Sequence, residues 1–181
     1  MKYLKNFKIF ESLESKIDLS ELESILIDFK QMGLDPDVKT GSSIVVDWNL
    51  VNDVQTGRDF KSISSSEVDK YTKSRTSNSL SIEFDKNELH TYNLEETKEA
   101  YEMLKSYLYD EYNLIPNYIY INLHWNYSYF ENFDNLLDKL KVDEVSNQFK
   151  GFSVDARTPY ANIGGSTYFK AHKLIFGFYL A

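Results

Sequence analysis

The sequence predicts an α+β domain, a largely antiparallel sheet with helices packed on one face. Three observations lead there: two helical segments with complete start signals, several short segments that alternate at period two, and the order helix, strand, helix, strand, helix, strands. The chain has 181 residues, 42% of them apolar, enough for one core of domain size. The expected organisation is a leader peptide over residues 1–14 and a single α+β domain over 15–181.

The first helix starts at Asp18, with Glu21 at capping-box spacing and Ile17 and Leu22 at the hydrophobic-staple positions. Leu22, Ile25, Leu26, Phe29 and Met32 recur at helical spacing, and Gly33 supplies the stop. "SIVVDWNLV" (43–51) sets Ile44, Val46, Trp48 and Leu50 against Val45, Asp47, Asn49 and Val51, and is expected as a strand. Residues 52–79, rich in Ser, Thr and charge, are expected to continue a strand through Phe60, turning at "QTGR", or to form a long loop. "SLSIEF" is a strand with Leu80, Ile82 and Phe84 inward.

Asn93 and Glu96 cap a second helix whose inner stripe is Thr97, Ala100, Tyr101, Leu104 and Leu108, and the loop after it breaks at Pro116. "NYIYINLHWNYSYF" (117–130) has the clearest period of two. It puts Ile119, Ile121, Leu123, Trp125, Tyr127 and Tyr129 on one face, and Tyr118, Tyr120, Asn122, His124, Asn126 and Ser128 on the other. A short helix around Asn135–Leu140 precedes two further strands, "FKGFSVDAR" and "KLIFGFYLA", with "NIGGSTY" as the turn before the last.

The net charge of −8 opposes non-specific binding to nucleic acid, since phosphate contacts need clustered Lys and Arg. Cysteine is absent, so there is no disulfide framework and no thiolate zinc site. Apolar runs of a few residues fall far short of a membrane span, and no membrane partner is expected.

No stretch carries a specific catalytic signature. If the strands align as one sheet, their polar faces bring Asp47, Glu83, His124 and Asp155 together, and a carboxylate–histidine group of that kind suits a divalent metal or acid–base hydrolysis. A wet sheet face carries such residues without any chemistry, and no H-x-x-x-H or D-x-D-x-D-G spacing pairs them. No metal site and no cofactor is therefore assigned. "NIGGSTY" lacks the Lys of a phosphate loop. Tyrosine is abundant at fourteen residues, nine of them between Tyr92 and Tyr129. Such rings suit protein interfaces, and Tyr118 and Tyr120 stand on the polar strand face as candidates for partner binding.

The opening "MKYLKNFKIFESLE" differs in sign from the body. Leu4, Phe7 and Phe10 recur near helical spacing, flanked by Lys2, Lys5 and Lys8. The segment is too short to be a stable helix in water, so it orders against a partner, and an acidic partner with an apolar groove suits it best. With Met1, Lys2, Leu4, Lys5, Phe7, Phe10 and Glu11 in place, it resembles the start of small uncharacterised proteins of myovirus-type tailed phages. That resemblance implies an address peptide for the prohead, cut after Glu11 in the tripeptide Ile9-Phe10-Glu11. It covers about a dozen residues and implies nothing about the activity of the body. Three Arg among twenty basic residues reflect AT-rich coding, as in such phages or their hosts.

The expected function is that of a non-enzymatic phage accessory or virion-associated protein, found in the host cytoplasm or the virion and acting by protein–protein binding. Two alternatives follow from the same residues. One is an inhibitor of host defence, an acidic decoy or sequestering protein. The other is a metal-dependent hydrolase built on His124 with Asp47, Glu83 or Asp155.

Overall fold

The computed structural model describes residues 17–54, 62–123, 126–146, 160–163 and 165–180. Helix α1 (Leu19–Ile25) begins where its cap signal lies: Asp18 accepts hydrogen bonds from the backbone N–H groups of Ser20 and Glu21. The single helix expected from the periodicity is interrupted at Leu26 and resumes as α2 (Ile27–Gln31). Just before the break, the Ser24 hydroxyl donates to the Glu21 carbonyl at 2.6 Å, a back-bond that bends helices. The end is a Schellman motif. Gly33 sits at φ +76°, its N–H donates to Lys30, and the N–H of buried Leu34 donates to Phe29.

Strand β1 (Asp37–Val46) stops short of its expected end at Val51, and α3 (Trp48–Val54) follows. Asp47 is responsible: its side chain accepts the Asn49 N–H at 3.1 Å, turning the chain into helix, where Trp48 and Val51 share a face at i, i+3. Residues 62–79 are ordered into β2 (Ser62–Ser64), a 3-10 turn (Val68–Tyr71) and the first third of β3 (Thr72–Asn93). The polar run from Thr72 to Ser79 is a strand because β1 hydrogen-bonds to it, from Val46↔Thr72 to Gly41↔Ser79.

Helix α4 (Leu94–Tyr112) has the predicted cap at Asn93 and the predicted stripe, Thr97, Ala100, Tyr101, Leu104 and Leu108, all buried. Strand β4 (Leu114–Leu123) runs through Pro116, with a register shift between Pro116 and Tyr118. It turns back into β5 (Asn126–Phe130), Leu123 facing Asn126. The single long strand expected over 117–130 is thus two strands paired antiparallel. Helix α5 (Phe133–Ser146) outruns the expected 135–140, and β7 (Ser166–Leu180) starts earlier than "KLIFGFYLA". Strand β6 (Tyr160–Ile163) meets β7 across the predicted glycine turn, Ile163 facing Ser166. The strand expected at 149–157 lies outside the described residues, as does the leader.

The seven described strands form one sheet in the order β1-β3-β7-β4-β5-β2, with β6 beside the first part of β7, and every described pairing is antiparallel. The α+β class is as predicted. The main core lies on one face, where α1, α2, α4 and α5 cover Leu80, Ile82, Phe84, Ile119, Ile121 and Phe176. Phe29 of α2, Phe84 of β3 and Phe176 of β7 meet at centroid distances of 5.0–5.7 Å. Each ring taken out of water contributes about 1.5–3 kcal/mol. A second, smaller core occupies part of the opposite face, where α3, the 3-10 turn and β2 bring Val51, Val68 and Ile63 over Val46, Tyr118 and Ile175. Among the described residues no helix is long and apolar enough to cross a membrane.

Candidate protein-docking face

The sheet places the predicted carboxylates apart. Glu83 faces Asp37 in the β1–β3 register, and Asp47 lies ten residues beyond Asp37. At about 3.3 Å per residue, that is roughly 30 Å of strand path. Asp47 is engaged as the cap of α3. His124 and Asp155 lie outside the described residues. Among the described residues no group of three His, Asp or Glu side chains is placed to hold a metal ion.

Glu83 has a structural partner on each side. Its carboxylate accepts from Lys39 of β1 at 2.7 Å and from Lys173 of β7 at 3.0 Å, and Lys173 also reaches Asp85 at 3.5 Å. The Glu83 side chain is only 13% exposed. Burial alone would raise its pKa; the hydrogen bonds from both lysines outweigh burial and hold it below the usual carboxylate value. Burial works against the Lys173 ammonium, and Glu83 overcomes that and raises it. The cluster clamps three strands together.

The tyrosines expected to face a partner have a different place. Tyr118 is 8% exposed, packed edge-on against Tyr129 at 5.1 Å with its hydroxyl 3.3 Å from Ser43. Tyr120 is half-buried and edges the same ring at 4.9 Å. The antiparallel register of β4 and β5 explains this, since it sets Tyr129 opposite Tyr120 and on its face, and puts Ser128 and Phe130 on the core side with Ile121 and Ile119. Burial pushes the Tyr129 hydroxyl up to about 12, helped by Tyr118, Tyr120 and Asp69. These rings build the second core.

Asn117, which the sequence reading passed over, joins that core to the β1 end. It is buried at the β4 irregularity. Its side-chain oxygen accepts the Val46 N–H at 3.0 Å, and its amide nitrogen donates to the Ile44 carbonyl. One side-chain amide thus satisfies the donor and acceptor that a neighbouring strand would take. The Trp48 indole N–H donates to the Asn117 carbonyl at 2.7 Å. No linear pattern marks such a residue.

Among the described residues, the outer face of α4 is one surface open to a partner. Because the inner stripe is fixed in the core, Glu95, Glu99, Met103 and Ser106 turn outward at i, i+4, i+8 and i+11 spacing. With Lys98 and Glu102 they line a shallow groove of about 550 Å³ whose surface is mostly carbon. Met103 is 55% exposed, and so is Tyr109 farther along the helix. The lysines here are paired: Lys98 with Asp134 of α5 at 2.6 Å, and Lys105 with Glu102. Glu95 accepts the Thr167 N–H of β7 at 3.0 Å, while Glu99 has no ion-pair partner among the described residues. The result is an apolar floor with an acidic rim. The sequence analysis missed this face; a Met on the polar side of an amphipathic helix is the signal that could have found it. Comparison of the chain with family models, with curated proteins and with solved structures finds no match.

Proposed function

We propose that this chain is a phage accessory protein, carried with the virion, whose body acts by binding another protein after its leader is removed. The observation that supports this most is how the described fold begins. Asp18 satisfies the N-terminus of α1 with its own side chain, and Ile17 seals the edge of the core. A cut after Glu11 would fall six residues before Ile17 and leave the Asp18 cap of α1 in the body. The outer face of α4, with Met103 and Tyr109 exposed among carboxylates, offers the body a surface of the mixed kind that partners use.

The test is mass spectrometry of purified particles from infected cells. A body whose first residue is Ser12 is the expected result. Particles that lack the protein altogether refute the reading.

A further inference from the structure

We propose that the outer face of α4 receives a cationic amphipathic helix of another protein, whose lysines or arginines meet the carboxylates of α4 while its apolar side chains rest on Met103 and Tyr109. The inference deepens the reading that the body acts by binding a protein, and rests on it. Three features carry it.

The first is the order of side chains along the helix. At about 100° per residue, Met103 and Tyr109 stand on either side of Ser106, which points away from the buried stripe. Both flanking side chains are 55% exposed. Glu95, Glu99 and Glu102 precede this apolar pair, and Asp110 follows it on the same side. From Glu95 to Asp110 is about 22 Å of axis at 1.5 Å per residue, a length that a helix of about fifteen residues spans. Met103 suits a surface that must fit another side-chain set, because its unbranched thioether adapts to what is laid on it.

The second is charge. Helix α4 carries Glu95, Glu96, Glu99, Glu102, Asp110 and Glu111 against two lysines. Both lysines are already paired, Lys98 with Asp134 and Lys105 with Glu102, which leaves the face acidic. A second copy of this chain laid on the same face would set carboxylate against carboxylate, and an anionic bilayer is repelled in the same way. A cationic partner is attracted.

The third is the end of the helix. The last turn of α4 holds Asp110 and Glu111, both exposed, and no basic residue. Neither carboxylate has an ion-pair partner among the described residues. The C-terminus of a helix is the negative end of its dipole, so carboxylates there destabilise it. A cation supplied by the partner offsets that repulsion, which nothing in α4 itself does.

Titration of the full chain with a labelled synthetic helix of about fifteen residues, leucine on one face and lysine on the other, tests this by fluorescence anisotropy. The double variant Glu99→Lys, Met103→Lys changes exposed positions only, and far-UV circular dichroism verifies its fold. It should bind the peptide about tenfold more weakly than the double variant Glu23→Lys, Asp35→Asn, which changes net charge by the same amount at exposed positions off α4. The chain has three methionines, Met1, Met32 and Met103. With their methyl groups labelled with carbon-13, the peptide should shift the Met103 signal and leave that of Met32, which packs against the main core. No binding, equal weakening in the two double variants, or an unmoved Met103 signal overturns the proposal. A dimer that the peptide displaces, or cosedimentation with anionic vesicles, gives the face to a different occupant and also overturns it. None of these outcomes touches the Ser12 terminus in particles, so the two readings fail separately.

Discussion

Replacing Gly177 by alanine probes the second core at its tightest point. Gly177 of β7 faces Tyr118 of β4, and a Cβ built there would lie 2.5 Å from Cζ of the ring and 2.7 and 2.8 Å from the two Cε atoms. Carbon atoms prefer about 3.5–4.0 Å, so the ring must retreat by roughly 1 Å. Its surroundings resist: the Tyr129 edge is at 5.1 Å and Ser43 holds the hydroxyl end. Overpacking of this kind costs about 1–3 kcal/mol, which for a chain of this size lowers Tm by about 4–8 °C at the middle of that range. Urea unfolding followed by circular dichroism measures the loss, and a double-mutant cycle assigns it. Tyr118→Ala removes the obstacle, so in that background Gly177→Ala should be neutral or stabilising by up to about 1 kcal/mol, as alanine in a strand outdoes glycine. If Gly177→Ala is harmless in the native background, or equally harmful in both, the ring does not rest on Gly177.

Tyr92 is buried, its hydroxyl has no hydrogen-bond partner among the described residues and its ring stacks on Phe169 at 4.9 Å, so Tyr92→Phe should raise stability by about 1 kcal/mol; a loss in urea unfolding would mean the hydroxyl has a partner. Asn117→Ala leaves the Val46 N–H and the Ile44 carbonyl unpaired, and should cost about 2–4 kcal/mol and sharply speed hydrogen exchange at Val46. The Glu83 pKa is depressed in the folded state, so its contribution is present above the ordinary value of 4.5 and lost as pH falls through the lower folded value. Between pH 7 and pH 3 the native protein should therefore lose more urea resistance than Glu83→Gln, and parallel losses in the two would contradict the clamp.

Read alone, the sequence settled what contacts within a few residues decide. Asp18, Gly33 and Asn93 mark helix ends because each cap bond spans no more than five residues, and the α4 stripe follows from its own period. The alternation of Leu80, Ile82 and Phe84 likewise fixed which face of β3 is inward. Period two, however, is blind to a turn. The alternation through 117–130 continues although β4 and β5 run antiparallel, so Tyr129 changed face while its parity stayed the same. Only pairing with β1, more than twenty residues upstream, makes a strand of the polar Thr72–Ser79 run. The candidate face was half legible: the inner stripe of α4 implied an outward Met103 and Glu99, but that the lysines beside them are paired depends partly on Asp134 of a later helix. The roles of Tyr118, Gly177 and Asn117 belong wholly to tertiary structure, because each is set by a residue more than fifty positions away, which the folded sheet alone brings into contact.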